Sequence, residues 1–292
     1  MRKGSDIMWK QQIINTKRGT FELFTKGNGE PLCITHHYSQ FNETGDYFAD
    51  AFTSTHRVFL INLRDAGNSV KAQSENELRM IETIHDLEAI RESLQFPTWH
   101  FAGHSTGGML GVLYAITYPN SLQSLVIVGA AASIYTRTSN CIYHPEHPQF
   151  HYMQELIKNL KSPHLTSEER KELSTKRTKL SLCTPENYDS YFCKPIQKTM
   201  SASRMNAFSQ EYPSFDLREY LPSIQTKTLI VCGRHDAQCP IQYSIEMHEG
   251  MPNSILIPFE HSNHYPFLEE VTKFTSSIQE FYKSLHQKSS RY

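Results

Sequence analysis

Apolar residues along this chain follow two rhythms, and the change between them marks its organisation. Short runs of apolar and strand-forming residues recur at 31–35 (PLCIT), 56–63 (HRVFLINL), 98–102 (TWHFA), 122–128 (LQSLVIV), 228–232 (TLIVC) and 254–257 (SILI). Near-continuous runs of this kind belong to strands covered on both faces, since neither face meets water. Segments 7–15 and 20–26, joined by Lys17-Arg18-Gly19, predict an opening β-hairpin. Between the runs lie helical stretches. A short helix is expected over 46–53. A longer one runs to about Gln95, with apolar residues at Leu78, Ile81, Ile84, Leu87, Ile90 and Leu94 behind a capping box, Ser74-x-x-Glu77. Others follow at 109–118, stopped by Pro119, at 241–248 and at 267–285. Strands alternating with helices predict an α/β fold around a mainly parallel sheet with helices on both faces.

From 132 to 221 the rhythm changes. Long apolar runs thin out, and His, Tyr, Lys, Glu and Ser dominate. Helical signals appear at 149–161, at 167–182 behind a second capping box, Thr166-x-x-Glu169, at 185–193 and at 198–208. This predicts a helical cap (132–221) inserted into a core domain made of 1–131 and 222–292. The polar tail, 286–292, reads as a frayed end.

Composition narrows the function classes. Thirty acidic residues against 29 Lys plus Arg leave a formal net charge of -1, which gives no electrostatic case for nucleic acid or an anionic membrane. No apolar run approaches the roughly 18–20 residues of a membrane span. Met1 to Met8 carries charges without an apolar stretch behind them, so no secretory signal is visible. The six cysteines (33, 141, 183, 193, 232, 239) are scattered without a C-x-x-C pair, which fits reduced thiols in a cytoplasmic protein. The pattern calls for no cofactor, and the oligomeric state is open.

One stretch carries chemistry. Gly103-His104-Ser105-Thr106-Gly107 stands between a predicted strand and a predicted helix. G-x-S-x-G in that setting is a nucleophile elbow. Its glycines let strand and helix approach while the middle residue is forced into a strained conformation, its hydroxyl exposed. A serine hydroxyl is a poor nucleophile at neutral pH, so Ser105 needs a general base, and the base needs a carboxylate to fix its tautomer. Such groups lie just past the carboxyl ends of strands in open α/β sheets. Asp65 follows a strand but precedes Ser105 and sits in a turn; Asp236, four residues after 229–232, is the better acid. Among fifteen histidines, His264 stands out because it follows the last strand and precedes Pro266, with His261 as its neighbouring competitor.

The order Ser105…Asp236…His264, the elbow Gly-His-Ser-Thr-Gly-Gly, Gly-Arg-His-Asp after a strand, and Asn-His-Tyr-Pro-Phe-Leu-Glu near the end resemble the α/β-hydrolase superfamily. Within it the chain is similar to the capped branch of prolyl aminopeptidases, C–C bond hydrolases and carboxylesterases. The resemblance covers nearly all of 20–285. It implies an eight-stranded sheet, a lid after the sixth strand, and hydrolysis of a small-molecule acyl substrate through an acyl-enzyme. It also implies an oxyanion hole made by the amide after the nucleophile, Thr106, and a second amide past the third strand. There this chain reads His36-His37-Tyr38 where His-Gly-x is usual, so the second amide is Tyr38 or His37, and His37 brings an extra imidazole near the pocket. At 63–69 two usual residues are replaced by Asp65 and Ala66, a divergent loop.

Rival readings are weaker. His261 and His264 form H-x-x-H, but no H-E-x-x-H or H-x-H-x-D pattern is present, which disfavours a metal hydrolase. No phosphate-binding glycine loop occurs, and Ser105 stands where a halide- or epoxide-opening enzyme of the same fold would carry Asp. A prolyl aminopeptidase would need cap carboxylates to hold a free amine, for which Glu155, Glu168, Glu169, Glu172, Glu186, Asp189 and Glu211 are candidates. A small ester is preferred, since the elbow of that peptidase branch usually reads Gly-Gly-Ser-Trp-Gly. Tyr188, Tyr191, Phe192 and Phe208 suggest an apolar acyl pocket. A non-enzymatic alternative, a ligand-sensing signalling protein on the same fold, stays open because fold alone does not fix function.

Overall fold

A computed structural model of the chain describes residues 8–162 and 164–289. The apolar runs become strands: β1 (Lys10–Thr16), β2 (Gly19–Lys26), β3 (Glu30–Ile34), β4 (Ser39–Gln40), β5 (His56–Ile61), β6 (Trp99–His104), β7 (Leu122–Val128), β8 (Thr199–Met200), β9 (Lys227–Gly233) and β10 (Ser254–Phe259). Eight of them form one sheet in the order β1-β2-β5-β3-β6-β7-β9-β10, and β4 pairs with β8 alone. The hairpin strands β1 and β2 are antiparallel, as is the β2–β5 pair; every other pairing in the large sheet is parallel. This is the α/β-hydrolase fold with its mainly parallel eight-stranded sheet.

Strand alternation explains why these runs are apolar throughout. Phe59, Phe101, Ile127 and Ile230 face one core, while their neighbours Leu60, Ala102, Val126 and Val231 face the other. The first core is closed by α2 (Met80–Ser93), α3 (Thr106–Thr117) and α8 (Ile241–Gly250), and the second by α1 (Tyr47–Asp50) and α10 (Val271–Ser289). Phe59, Phe101, Ile127 and Leu60 are fully buried. Burying a side chain of this size is worth about 1.5–3 kcal/mol. Between β7 and β9 the chain leaves the sheet and forms α4 (Phe150–Leu160), α5 (Ser167–Lys179), α6 (Tyr188–Tyr191), β8 and α7 (Ala202–Glu211). A short α9 (Pro266–Glu269) precedes α10.

Several local expectations need correction. Ser74 makes no capping bond; 75–78 is a 3-10 turn, and α2 begins only after Arg79, whose extended ψ of 155° breaks the helix. Glu77 is drawn instead to Arg64 Nη1 and the Gln73 amide, both at 3.2 Å. The Thr166–Glu169 box does form. The 185–193 segment splits into a 3-10 turn and α6, and the 198–208 segment begins as β8 before α7. The closing helix starts at Val271 after a break at Glu270 and runs to Ser289, into the segment expected to fray. Residues 1–7 and 290–292, including the start of the predicted first strand and the expected leader-free N-terminus, lie outside the described residues. No helix among the described residues is long and apolar enough to cross a membrane.

Candidate active site

The elbow is built by close approach. Ser105 stands between β6 and α3 with φ 55° and ψ −125°, a conformation strained for any residue bearing a Cβ. Its amide is held by the Val128 carbonyl at 2.9 Å. A Cβ on Gly103 would lie 2.2 Å from the backbone of Gly107, and one on Gly107 would lie 2.3 Å from the Thr35 carbonyl. Only glycine at both positions lets β6, α3 and the end of β3 meet so closely.

Asp236 and His264 come together because β9 and β10 are adjacent, parallel and paired up to Gly233 and Phe259, so the loops that follow leave the sheet at the same end. His264 Nδ1 lies 2.9 and 3.1 Å from the two Asp236 carboxylate oxygens. Asp236 Oδ1 also accepts from the Gln238 amide at 2.9 Å and the Cys239 amide at 2.8 Å. With Nδ1–H donated to the carboxylate, His264 Nε2 is left as a lone-pair acceptor, the tautomer a general base needs. Both side chains are buried. Ser105 and His264 line one cavity of about 320 Å³, together with His36, Tyr38, His104, Arg177, Tyr188, Phe192 and Lys198. Asp65 is placed elsewhere, at φ 64°, where its carboxylate accepts from the Ala72 amide. His261 is exposed, its amide held by Glu270.

The proposed oxyanion amides flank the serine. Thr106 is the first residue of α3, so its amide has no partner within the helix. Beyond β3, the Tyr38 carbonyl accepts from the Ser201 amide at 2.9 Å and the His37 carbonyl from Arg204 Nε. Among the described residues neither the His37 nor the Tyr38 amide donates to a protein acceptor, so both stay available. The imidazole near the pocket belongs to His36, however, and not to His37. His36 bridges Thr106 Oγ1 at 3.0 Å and Ser39 Oγ at 2.8 Å, and burial pulls its pKa well below the usual histidine range. His37 is fully buried and turns away from the cavity, towards Phe208 and the Arg204 guanidinium, with Nδ1 3.2 Å from Nη2.

Three supporting residues were not visible as such in the sequence. His104, the variable position of the elbow, sits 2.8 Å from the His264 carbonyl through Nε2 and packs ring to ring on His264 at 4.5 Å. A carbonyl can only accept, so His104 carries its proton on Nε2; burial, then the nearby His264, keep the ring neutral. Gly129, at φ 54°, comes so close to the pair that a Cβ there would lie 2.9 Å from Asp236 Oδ2. A glycine directly after an apolar strand was the only hint. Arg204 is fully buried and donates to the Arg64 carbonyl at 3.0 Å and Thr83 Oγ1 at 2.7 Å as well as to His37. Burial lowers its pKa to about 10.

None of the seven carboxylates considered as amine anchors lines the cavity. Glu155, Glu168, Glu169, Glu172, Glu186 and Asp189 are exposed, and Glu211 is engaged with the Met80 amide and Arg79. Of the four aromatics considered for the pocket, Tyr188 and Phe192 line it, whereas Phe208 packs under the His37–Tyr38 turn. The one group of three metal-type ligands among the described residues, Glu30, His56 and His100, stands at the opposite ends of β3, β5 and β6. There Glu30 already hydrogen-bonds His100 at 3.1 Å.

The likeness to known proteins follows this architecture. A family model described as the alpha/beta hydrolase fold matches residues 24–271. An α/β-fold family hydrolase from Bacillus anthracis superposes with a TM-score of 0.91 at 41% identity, over 94% of this chain and 99% of that one. An AB hydrolase superfamily protein, YisY, of Bacillus subtilis is 26% identical over 88% of this chain and 93% of its own length. A proline iminopeptidase of Lactobacillus helveticus is 25% identical over 77% and 79%. The chain belongs to the α/β-hydrolase fold family.

Proposed function

We propose that this protein is a serine hydrolase that cleaves a small ester or related acyl substrate, with Ser105 as nucleophile, His264 as base and Asp236 as its orienting acid. The observation that carries the reading is the left-handed Ser105 on the wall of a cavity it shares with His264, whose Nδ1 is held by Asp236. His264 Nε2 takes the hydroxyl proton as Ser105 Oγ attacks the acyl carbon, and the amides of Thr106 and Tyr38 hold the oxyanion. His264 then protonates the leaving oxygen. Water repeats the sequence on the acyl-enzyme, releasing the acid and restoring the serine. In this reading 1–131 and 222–292 form the catalytic core, and 132–221 is the cap that bounds the acyl pocket.

An aminopeptidase is the second reading, suggested by the iminopeptidase relative. It needs a carboxylate for the substrate's ammonium, and the single one among the described residues that line this cavity, Asp46, already binds Lys198 at 3.0 Å. The cavity therefore favours an ester over a free amine.

The test is a panel of p-nitrophenyl esters, aminoacyl amides and lactones assayed on wild type and Ser105→Ala, with a fluorophosphonate probe to locate the nucleophile. Multiple turnovers on esters, lost in Ser105→Ala, are expected. Full activity in Ser105→Ala would overturn the assignment, and labelling with a single turnover would point to a ligand-sensing protein.

A further inference from the structure

The cavity over Ser105 contains a cation that the protein leaves uncompensated. Arg177, on α5, lines it between Ser174 and Thr178, near Tyr188. The second basic residue of the lining, Lys198, is paired with Asp46 Oδ2; the other oxygen of Asp46 caps α1 through the Phe48 and Ala49 amides. Asp46 is thus fully committed. Among the described residues no carboxylate lies within ion-pair distance of Arg177, and its guanidinium donates no hydrogen bond. The ionisable groups that face it are the phenols of Tyr38, Tyr143 and Tyr265. His36 and His104 complete the wall as neutral rings.

Two other cations of α5, Arg170 and Lys176, are engaged by contrast. Arg170 donates to the Leu160 and Ser162 carbonyls at 2.8 and 3.0 Å, and Lys176 pairs with Glu172 at 2.7 Å. A guanidinium partly withdrawn from water without a counter-ion carries a desolvation cost that a bound anion offsets. Its planar fork matches a carboxylate in a way an ammonium does not.

We propose that the substrate carries a carboxylate remote from its scissile carbonyl and that Arg177 binds it. This rests on the acyl-transfer reading above: water adds across the ester bond and releases an acid and an alcohol, and the remote carboxylate passes through unchanged on one of them. Arg177 then acts as a specificity residue, and a neutral or cationic substrate leaves the guanidinium unpaired.

The experiment compares matched pairs of esters on wild type, Arg177→Lys and Arg177→Gln. One pair places the anion on the acyl side: the mono-p-nitrophenyl ester of glutaric acid against its methyl-capped form. The other places it on the alcohol side: the butyrate ester of 4-hydroxybenzoate against that of methyl 4-hydroxybenzoate. Expected is a preference in kcat/KM of roughly tenfold or more for the anionic member of one pair, from a charge-assisted contact. The ratio should fall towards one in Arg177→Gln and be partly kept in Arg177→Lys. Binding of free glutarate to Ser105→Ala, read by calorimetry, should weaken by a similar factor when Arg177→Gln is added. No anionic preference in either pair, or a ratio unmoved by Arg177→Gln, overturns the proposal. If esters turn over independently of Ser105, the nucleophile assignment fails instead, and the glutarate titration still decides the role of Arg177.

Discussion

The two flanks of the segment that leaves the sheet between β7 and β9 are tied down in opposite ways. On one flank, α7 buries Arg204 completely, its guanidinium reaching the Arg64 and His37 carbonyls and Thr83, and β8 pairs with β4. On the other, α5 has no buried residue, and α4 buries only Met153 and Leu156. That flank is linked to the loops of Asp236 and His264 by Ser181, whose carbonyl accepts from the His264 amide at 3.2 Å and whose hydroxyl accepts from Gln238 at 2.9 Å, and by the Cys183 amide, which donates to Glu269 at 2.6 Å. The clamped flank holds the His37–Tyr38 turn, which carries the proposed second oxyanion amide. The thinly packed flank carries Arg177. In the proposed reading, the rigid packing lies where geometry would set the rate, and the polar flank carries the guanidinium proposed to meet the substrate.

The comparison can be broken at several points. The largest effect should come from beneath both flanks: Asp236→Asn leaves the fold intact and lowers kcat by about 10⁴, because the imidazole loses the partner that fixes its tautomer. Steady-state kinetics would check this, and a loss under tenfold would remove Asp236 from the triad. Next, Arg204→Met strands the His37 and Arg64 carbonyls without donors. Stability should fall by about 2–4 kcal/mol and kcat by about 10², the size of a misplaced oxyanion donor. Urea unfolding and kinetics read the two, and unchanged kcat with lowered stability would make Arg204 a rivet of the cap only.

A third effect reaches the core beneath both flanks. His56 is buried against Tyr282, and burial lowers its pKa to about 4. The unfolded chain binds its proton near pH 6.5, the folded chain only near 4, so stability is intact above that window and falls as pH drops through it. Urea midpoints at pH 7.5 and 5.0 should differ, with part of the difference absent in His56→Phe. The smallest effect belongs to the thin flank. Thr166→Ala removes the capping box of α5, costing about 1 kcal/mol or less. Hydrogen exchange should rise across Ser167–Lys179 while the global unfolding midpoint hardly moves. A large global loss would show that α5 is as firmly docked as α7.

Much of this was legible in the amino-acid order because it rests on local rules. Runs such as 122–128 read as strands since both faces are buried, and the turn 103–107 reads as an elbow since a Cβ on either glycine has nowhere to go. The Thr166–Glu169 box was readable and formed; the Ser74–Glu77 box was equally readable and did not. Glu77 had a better partner in Arg64, 13 residues earlier in the chain and outside any helix rule, but 3.2 Å away in space. The same applies to the histidine pair after β3, where sequence placed His37 by the pocket and packing put His36 there, because Arg204 claims His37 from a segment far along the chain.

By itself the sequence determined the layered fold, the elbow and the order of serine, acid and histidine, since these follow from hydrophobic periodicity, glycine sterics and strand ends. Only the tertiary structure decided which polar groups are already spent. Asp46 is taken by Lys198, His37 by Arg204 and Glu77 by Arg64, while Arg177 is left open towards the cavity. Pairing between charges and hydrogen-bonding groups depends on distance after folding, and residues far apart in the chain settle it.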